Sequence, residues 1–282
     1  MCFASCQFLE TCRHILTHLE ILKDPHFVTF GGESFSFHGE CDLVLMTSPG
    51  FASGLWLDIH VRTTRIDNVR MSYSFISGVA VRRIGTDVLE TMDDGTVIVN
   101  GDSLREYNEP STFAGFRVNK SVKGKMKNIF VYDLDLRDSK TIQIRANTKT
   151  GMIFVDVRGA FLDSIGLLGA SAVDDKRSLA RDGETDLTGE WNTLGEEWQV
   201  REHEPKIFQE IRAPQYPTGY RYESRLTKAH LRRRLMDSGN DVGIDLATES
   251  CADAAAHKKD FCVDDVMATG DLELAEDPFY NN

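Results

Sequence analysis

Residues 55–62 read Leu-Trp-Leu-Asp-Ile-His-Val-Arg. In an extended chain successive side chains point to opposite faces, so Leu55, Leu57, Ile59 and Val61 share one side. Trp56, Asp58, His60 and Arg62 take the other. This alternation predicts a strand with one buried face. Downstream, Ile142 and Ile144 alternate with Gln143 and Arg145, and Ile153, Val155 and Val157 with Phe154, Asp156 and Arg158. Asp94-Gly95 separates Val88–Met92 from Thr96–Asn100, a hairpin signal because both residues tolerate positive φ. Lys149-Thr150-Gly151 offers a second turn. From about residue 26 to 160, short strands recur at roughly ten-residue spacing, which predicts an antiparallel β-sandwich and a mainly β fold.

The rhythm changes twice beyond that point. Residues 161–221 carry Gly166, Gly169, Gly183, Gly189, Gly195, Pro205, Pro214 and Pro217, and read as long loops packed on the sandwich. After residue 222 the spacing becomes helical. Leu226, His230, Leu231, Leu235 and Met236 predict one helix ending before Gly239. Residues 247–258 and 260–276 predict a helical pair, with Gly270 as break or cap.

Composition narrows the function. The formal net charge of −12 argues against a nucleic-acid partner, since neutralising phosphates needs a clustered positive surface. No apolar run approaches the roughly 18–20 residues of a membrane span. Glu10, Arg13, His14, His18 and Glu20 interrupt the N-terminus, so no signal peptide is visible. Cys2, Cys6 and Cys12 crowd residues 1–22, which read as the end of an upstream cysteine-bearing module and predict an incomplete N-terminus. The alternative is zinc held by those cysteines with His14 and His18, at i, i+4. The pairing of these three cysteines and Cys41 stays open. No G-x-S-x-G or H-E-x-x-H is present, so a metal-assisted hydrolase is the remote reading. Asn119-Lys120-Ser121 is a glycosylation sequon.

Asp24-Pro25-His26-Phe27-Val28-Thr29-Phe30, then Gly32, Phe35, Phe37, Gly39, Cys41 and Val44-Leu45, resembles the opening of the von Willebrand factor type D domain. Val97–Gly101 looks like that family's mid-domain hairpin strand, Gly166–Gly169 stands at its G-L-C-G turn, and Leu194–Val200 is similar to its closing F-G-x-x-W-x-V. The likeness covers residues 23–203. Phe27, Phe35 and Phe37 fit as core residues, Gly31-Gly32 and Gly39 as turns, and Trp198 as an anchor for the last segment.

The resemblance implies further sites. Family members bind calcium through the opening Asp and acids after the G-L-C-G turn, so Asp24, Asp174, Asp175 and Asp182 are the candidate Ca2+ ligands. Here Ala170 and Ala172 stand where oxygen ligands are expected, and Leu168 replaces a cysteine. Some members cleave the Asp-Pro bond in mild acid, which makes Asp24-Pro25 a candidate labile bond. The chain thus resembles a pared-down, algal- or mucin-like variant. A Pro-containing linker follows at 204–221, and then a helical tail, 222–282. Cys251 and Cys262 resemble the cysteine pair of helical segments that follow type D domains in extracellular chains, and a disulfide between them would staple two helices. Two buried thiols are the alternative.

The kinship implies a non-catalytic extracellular or cell-surface module for adhesion, matrix or multimer assembly. Its partner would be an extracellular protein or glycan, or a second copy. The alternative is a calcium-dependent ligand-binding domain.

Overall fold

The computed structural model describes residues 18–22, 26–37, 39–65, 74–83, 88–100, 102–104, 111–113, 115–123, 128–170, 176–210, 243–256, 258–277 and 280. Two antiparallel sheets face each other. The smaller is a meander in chain order: β4 (Asp42–Ser48), β5 (Leu57–Arg65), β6 (Ser74–Arg83), β7 (Val88–Met92), β8 (Val97–Val99) and β9 (Asp102–Leu104). The larger sheet joins both ends of the sandwich sequence. It runs β10 (Ser111–Phe113), β11 (Phe116–Lys123), β12 (Ile129–Asp135), β13 (Thr141–Asn147) and β14 (Met152–Arg158). It continues through β1 (His18–Leu22), β2 (His26–Val28) and β3 (Ser34–Ser36).

The apolar halves of the alternating strands meet between the sheets. Leu57, Ile59 and Val61 of β5 and Ile142, Ile144, Val155 and Val157 of β13 and β14 lie in one core with Phe27, Phe35 and Phe37. Both predicted turns form, with Gly95 at φ 76° and Gly151 at φ 67°. The expected strand start at Leu55 is corrected. Ala52, Ser53, Gly54 and Trp56 all have positive φ, and Leu55 N–H donates to Phe51 O at 2.8 Å. Leu55 and Trp56 therefore finish a turn, 44% and 37% exposed, and the strand begins at Leu57.

A second correction concerns the polar faces, which alternation placed towards solvent. Asp58, His60 and Arg62 are buried, as are Phe154, Asp156 and Arg145. The chain's own later segments cover both sides. Residues 198–210 pair through Trp198–Val200 with the free edge of β4, with Val44 N–H on Trp198 O and Val200 N–H on Asp42 O, both 2.8 Å. They then lay Ile207 and Phe208 on Ala80. The stretch read as the start of a linker is thus a packed strap through Glu210.

The tail covers the other side. Helices Ile244–Ser250 and Lys259–Thr269 and the 3-10 turn Leu272–Glu276 pack with Phe154 in a second apolar cluster. Cys251 and Cys262 are disulfide-bonded with Cα atoms 5.9 Å apart. Gly270 closes the second helix at φ 67°, the left-handed position glycine tolerates. The predicted helix over Leu226–Met236 lies outside the described residues, as do Cys2, Cys6 and Cys12. Among the described residues, no helix is long and apolar enough to cross a membrane.

Residues 165–168 seal the other half of β4's edge. Thr47 and Ile165 exchange backbone hydrogen bonds of 2.8 and 2.9 Å, and Leu167 and Leu168 N–H reach Val44 and Leu45 O. An open edge invites foreign strands, so this covering removes a route to uncontrolled pairing. Trp198, 3% exposed, donates its indole N–H to Leu179 O at 3.0 Å and anchors the closing segment.

Candidate binding groove

Of the four candidate calcium ligands, Asp24, Asp174 and Asp175 lie outside the described residues, as does Pro25. Asp182 is described and uses both oxygens locally. Oδ1 accepts the N–H groups of Glu184 (2.9 Å) and Thr185 (2.8 Å), and Oδ2 accepts the Thr185 hydroxyl (2.5 Å). These bonds favour the carboxylate and hold its pKa below the usual value. Among the described residues, no three His, Cys, Asp or Glu side chains converge to hold a metal. Asn119 sits half-buried in β11, opposite Asp133 of β12. His26 is 2% exposed, beside Ser36 Oγ and stacked on the tail's Phe261 at 4.6 Å.

The open concavity lies where loops gather at one end of the sandwich, with a volume of about 870 Å³. Phe51, Leu55, Phe116 and Leu136 supply apolar walls, and Arg83, Arg117 and Arg137 bring three guanidinium groups to it. Asp135 and Asp138 are the lining acids. Ligand pockets fall at about 300–1,000 Å³. The backbone around this one is held in unfavourable conformations. Seven described non-glycine residues have positive φ, and four of them line the groove, Ala52, Ser53, Arg137 and Asp138, with Trp56 and Ser139 close by in sequence. Each such residue costs of order 1–3 kcal/mol and persists only where surroundings fix it, as at ligand clamps.

The surroundings that fix it are visible. Asp163, after β14, accepts Ser48 Oγ at 2.6 Å and also Gly50 N–H, while Phe51 stacks on Phe161 at 6.4 Å. Asp135 Oδ1 accepts Arg137 N–H at 2.9 Å across the β12–β13 turn. The Arg83 guanidinium lies over the Phe116 ring at 5.9 Å and against Gly115, where an added Cβ would stand 2.2 Å from Nη2. A side chain at 115 would displace the guanidinium from this position.

The other polar concentration is internal. Under the strap, Arg62 makes a bidentate pair with Asp42 (2.8 and 2.9 Å), donates to Glu210 O (2.9 Å), and lies 4.3 Å from the Phe208 ring centre. Arg82 pairs with Asp58 at 2.6 Å, and Asp58 also accepts from Thr47 and Trp56 at 3.0 Å. His60 lies in the same face, and burial drives its pKa down to about 4, against the raising influence of Asp58 and Asp42. Arg62 faces the strap, and Asp58 and His60 are buried beside it.

His60 gives a pH prediction. Its folded pKa lies below the unfolded value of about 6.5, so its stabilising effect is complete above pH 6.5. That effect is lost as pH falls, because the unfolded chain takes up a proton that the folded one refuses. Between pH 7 and pH 5 the loss is about 2 kcal/mol. Urea unfolding at both pH values should show His60→Gln losing less stability than the parent by about that amount; equal losses would contradict it.

Sequence reading named none of the groove residues as a site. Their signals are separate in sequence: a Ser-Pro-Gly-Phe-Ala-Ser-Gly loop, a lone Gly115, and Arg-Asp-Ser after β12. Only the sheet register brings them together.

A family model of the von Willebrand factor type D domain matches residues 20–159. SCO-spondin of Gallus gallus is 33% identical over 94 residues, which cover 33% of this chain and 2% of that protein. The chain therefore spans a small fraction of this relative's length. With the two-sheet fold and its buried opening phenylalanines, these matches place a von Willebrand factor type D domain at residues 20–159 of the chain.

Proposed function

We propose that this chain is a non-catalytic extracellular interaction module, serving adhesion or assembly, and that it meets its partner at the loop-end groove. The observation carrying this reading is the concentration of four strained, non-glycine residues, Ala52, Ser53, Arg137 and Asp138, in the lining of one open cleft. Sandwich folds commonly place recognition on loops held by a rigid scaffold. Here the outer faces of the central strands are occupied by the strap and the tail, which directs a partner to the end. Leu55 and Trp56, exposed on the same loop, add an apolar rim.

The type D match and the likeness to SCO-spondin support the extracellular setting. Fold kinship gives class and not ligand, so the site has to carry the rest. A photo-crosslinking amino acid at Ser53, offered to the extracellular material of the producing cells, should give a defined adduct. The same group at Glu184, on a distant exposed turn, should give none. Equal labelling from the two positions would count against the groove as the contact face.

A further inference from the structure

We infer that the groove takes an acidic polypeptide segment in which a carboxylate side chain neighbours an apolar one; this rests on the groove being the contact face. The chain as a whole carries −12, yet this cleft gathers Arg83, Arg117 and Arg137 against Asp135 and Asp138. Asp135 is engaged with the backbone N–H of Arg137. Arg117 stands directly opposite Asp135 in the β11–β12 register, but no carboxylate lies within 4 Å of its guanidinium among the described residues, and the same holds for Arg137. Two exposed guanidinium groups therefore have their donors available. Arg83 is the fixed member, set by the Phe116 ring and the bare face of Gly115.

Guanidinium donors form a planar fork that matches a carboxylate bidentately. That chemistry is shared by acidic peptides and acidic glycans, and the floor decides between them. On that floor Leu55, 44% exposed, presents apolar surface, with Phe51 and Leu136 buried beneath the lining. A sulfated sugar offers charge on every side and little to bury there. A peptide with alternating Glu and Leu satisfies the arginines and the floor together, as anchor-and-rim interfaces do.

Fluorescence anisotropy with the intact chain tests this. The probes are a labelled hexapeptide alternating glutamate and leucine, its glutamine counterpart, and a labelled heparin-derived octasaccharide. The glutamate peptide should bind about tenfold more tightly than the glutamine peptide, and more weakly as salt rises. Arg117→Ala combined with Arg137→Ala should weaken it about tenfold while leaving the melting temperature unchanged, since both side chains are exposed. Equal binding of the glutamate and glutamine peptides would overturn the acidic-segment inference and leave the groove reading standing. So would binding of the octasaccharide without the peptide. If no probe binds, the inference falls, and the Ser53 crosslink then shows separately whether the groove is a contact face.

Discussion

Gly166→Ala should destabilise the folded chain by about 4 kcal/mol, the sum of backbone strain and overpacking. Gly166 sits at φ 127°, a region that side chains rarely enter. An added Cβ would stand 2.6 Å from Leu45 O and 3.0 Å from Met46 Cα, both backbone atoms that cannot swing aside. The following residues, Leu167 and Leu168, are fully buried and hydrogen-bond to β4. Leu168 O in turn accepts Phe30 N–H at 2.8 Å, so the turn ties both sheets together. Relieving the clash would break those bonds. Urea unfolding monitored by tryptophan fluorescence gives the value, and a loss under about 1 kcal/mol, within ordinary surface effects, would show that the turn yields without cost.

The second large effect concerns the tail. Replacing both Cys251 and Cys262 with serine should cost the tail about 3 kcal/mol, the loop-closure entropy of a short disulfide loop. The loss should be local. The tail meets the sheet through a mixed interface: the Phe154–Tyr280 edge contact at 6.3 Å, Phe261 on His26, and the Lys149 pairs with Asp271 and Glu273 at 3.1 and 2.8 Å. Tyr280 donates to Asp265 at 2.6 Å in a fully buried setting, which raises its pKa well above the ordinary value. Such buried polar contacts stabilise only while every partner is in place. Amide hydrogen exchange should therefore show residues 243–277 losing protection in the double serine variant while β4–β7 keep theirs. Unchanged protection of the helices would mean that packing alone holds the tail. Loss throughout would mean that the tail and sandwich unfold as one unit.

The sandwich was legible because the apolar half of each strand is written at period two, and because Asp94-Gly95 and Gly151 mark turns whose φ few other residues accept. Phe27, Phe35, Phe37 and Trp198 could be read as core because they are large apolar residues at offsets that resemble the family's motifs. The covered outer faces could not. Asp58, His60 and Arg62 look like a solvated face in sequence, yet all three are buried, and Arg62 is met by Phe208 and Glu210, nearly 150 residues away. Leu55 and Trp56 misled for a local reason: they continue the alternation, but the positive φ angles of the preceding turn keep them out of the strand. The groove was invisible for a third reason. Arg83, Gly115 and Arg137 belong to three different connections, and nothing short of strand register places them at one end.

Capture of the chain's extracellular surroundings by groove variants decides whether the groove is the contact face. Beads carrying the parent chain or Leu55→Asp would be compared for adhesion to material secreted by the producing cells. Leu55 is 44% exposed, so the change leaves the core intact while placing a carboxylate on the apolar rim beside the arginines. The expected result is a loss of adhesion of about tenfold, as for truncating an interface anchor, with an unchanged melting temperature. Adhesion equal to the parent, with the fold intact, would contradict the assignment of this groove as the surface through which the module works.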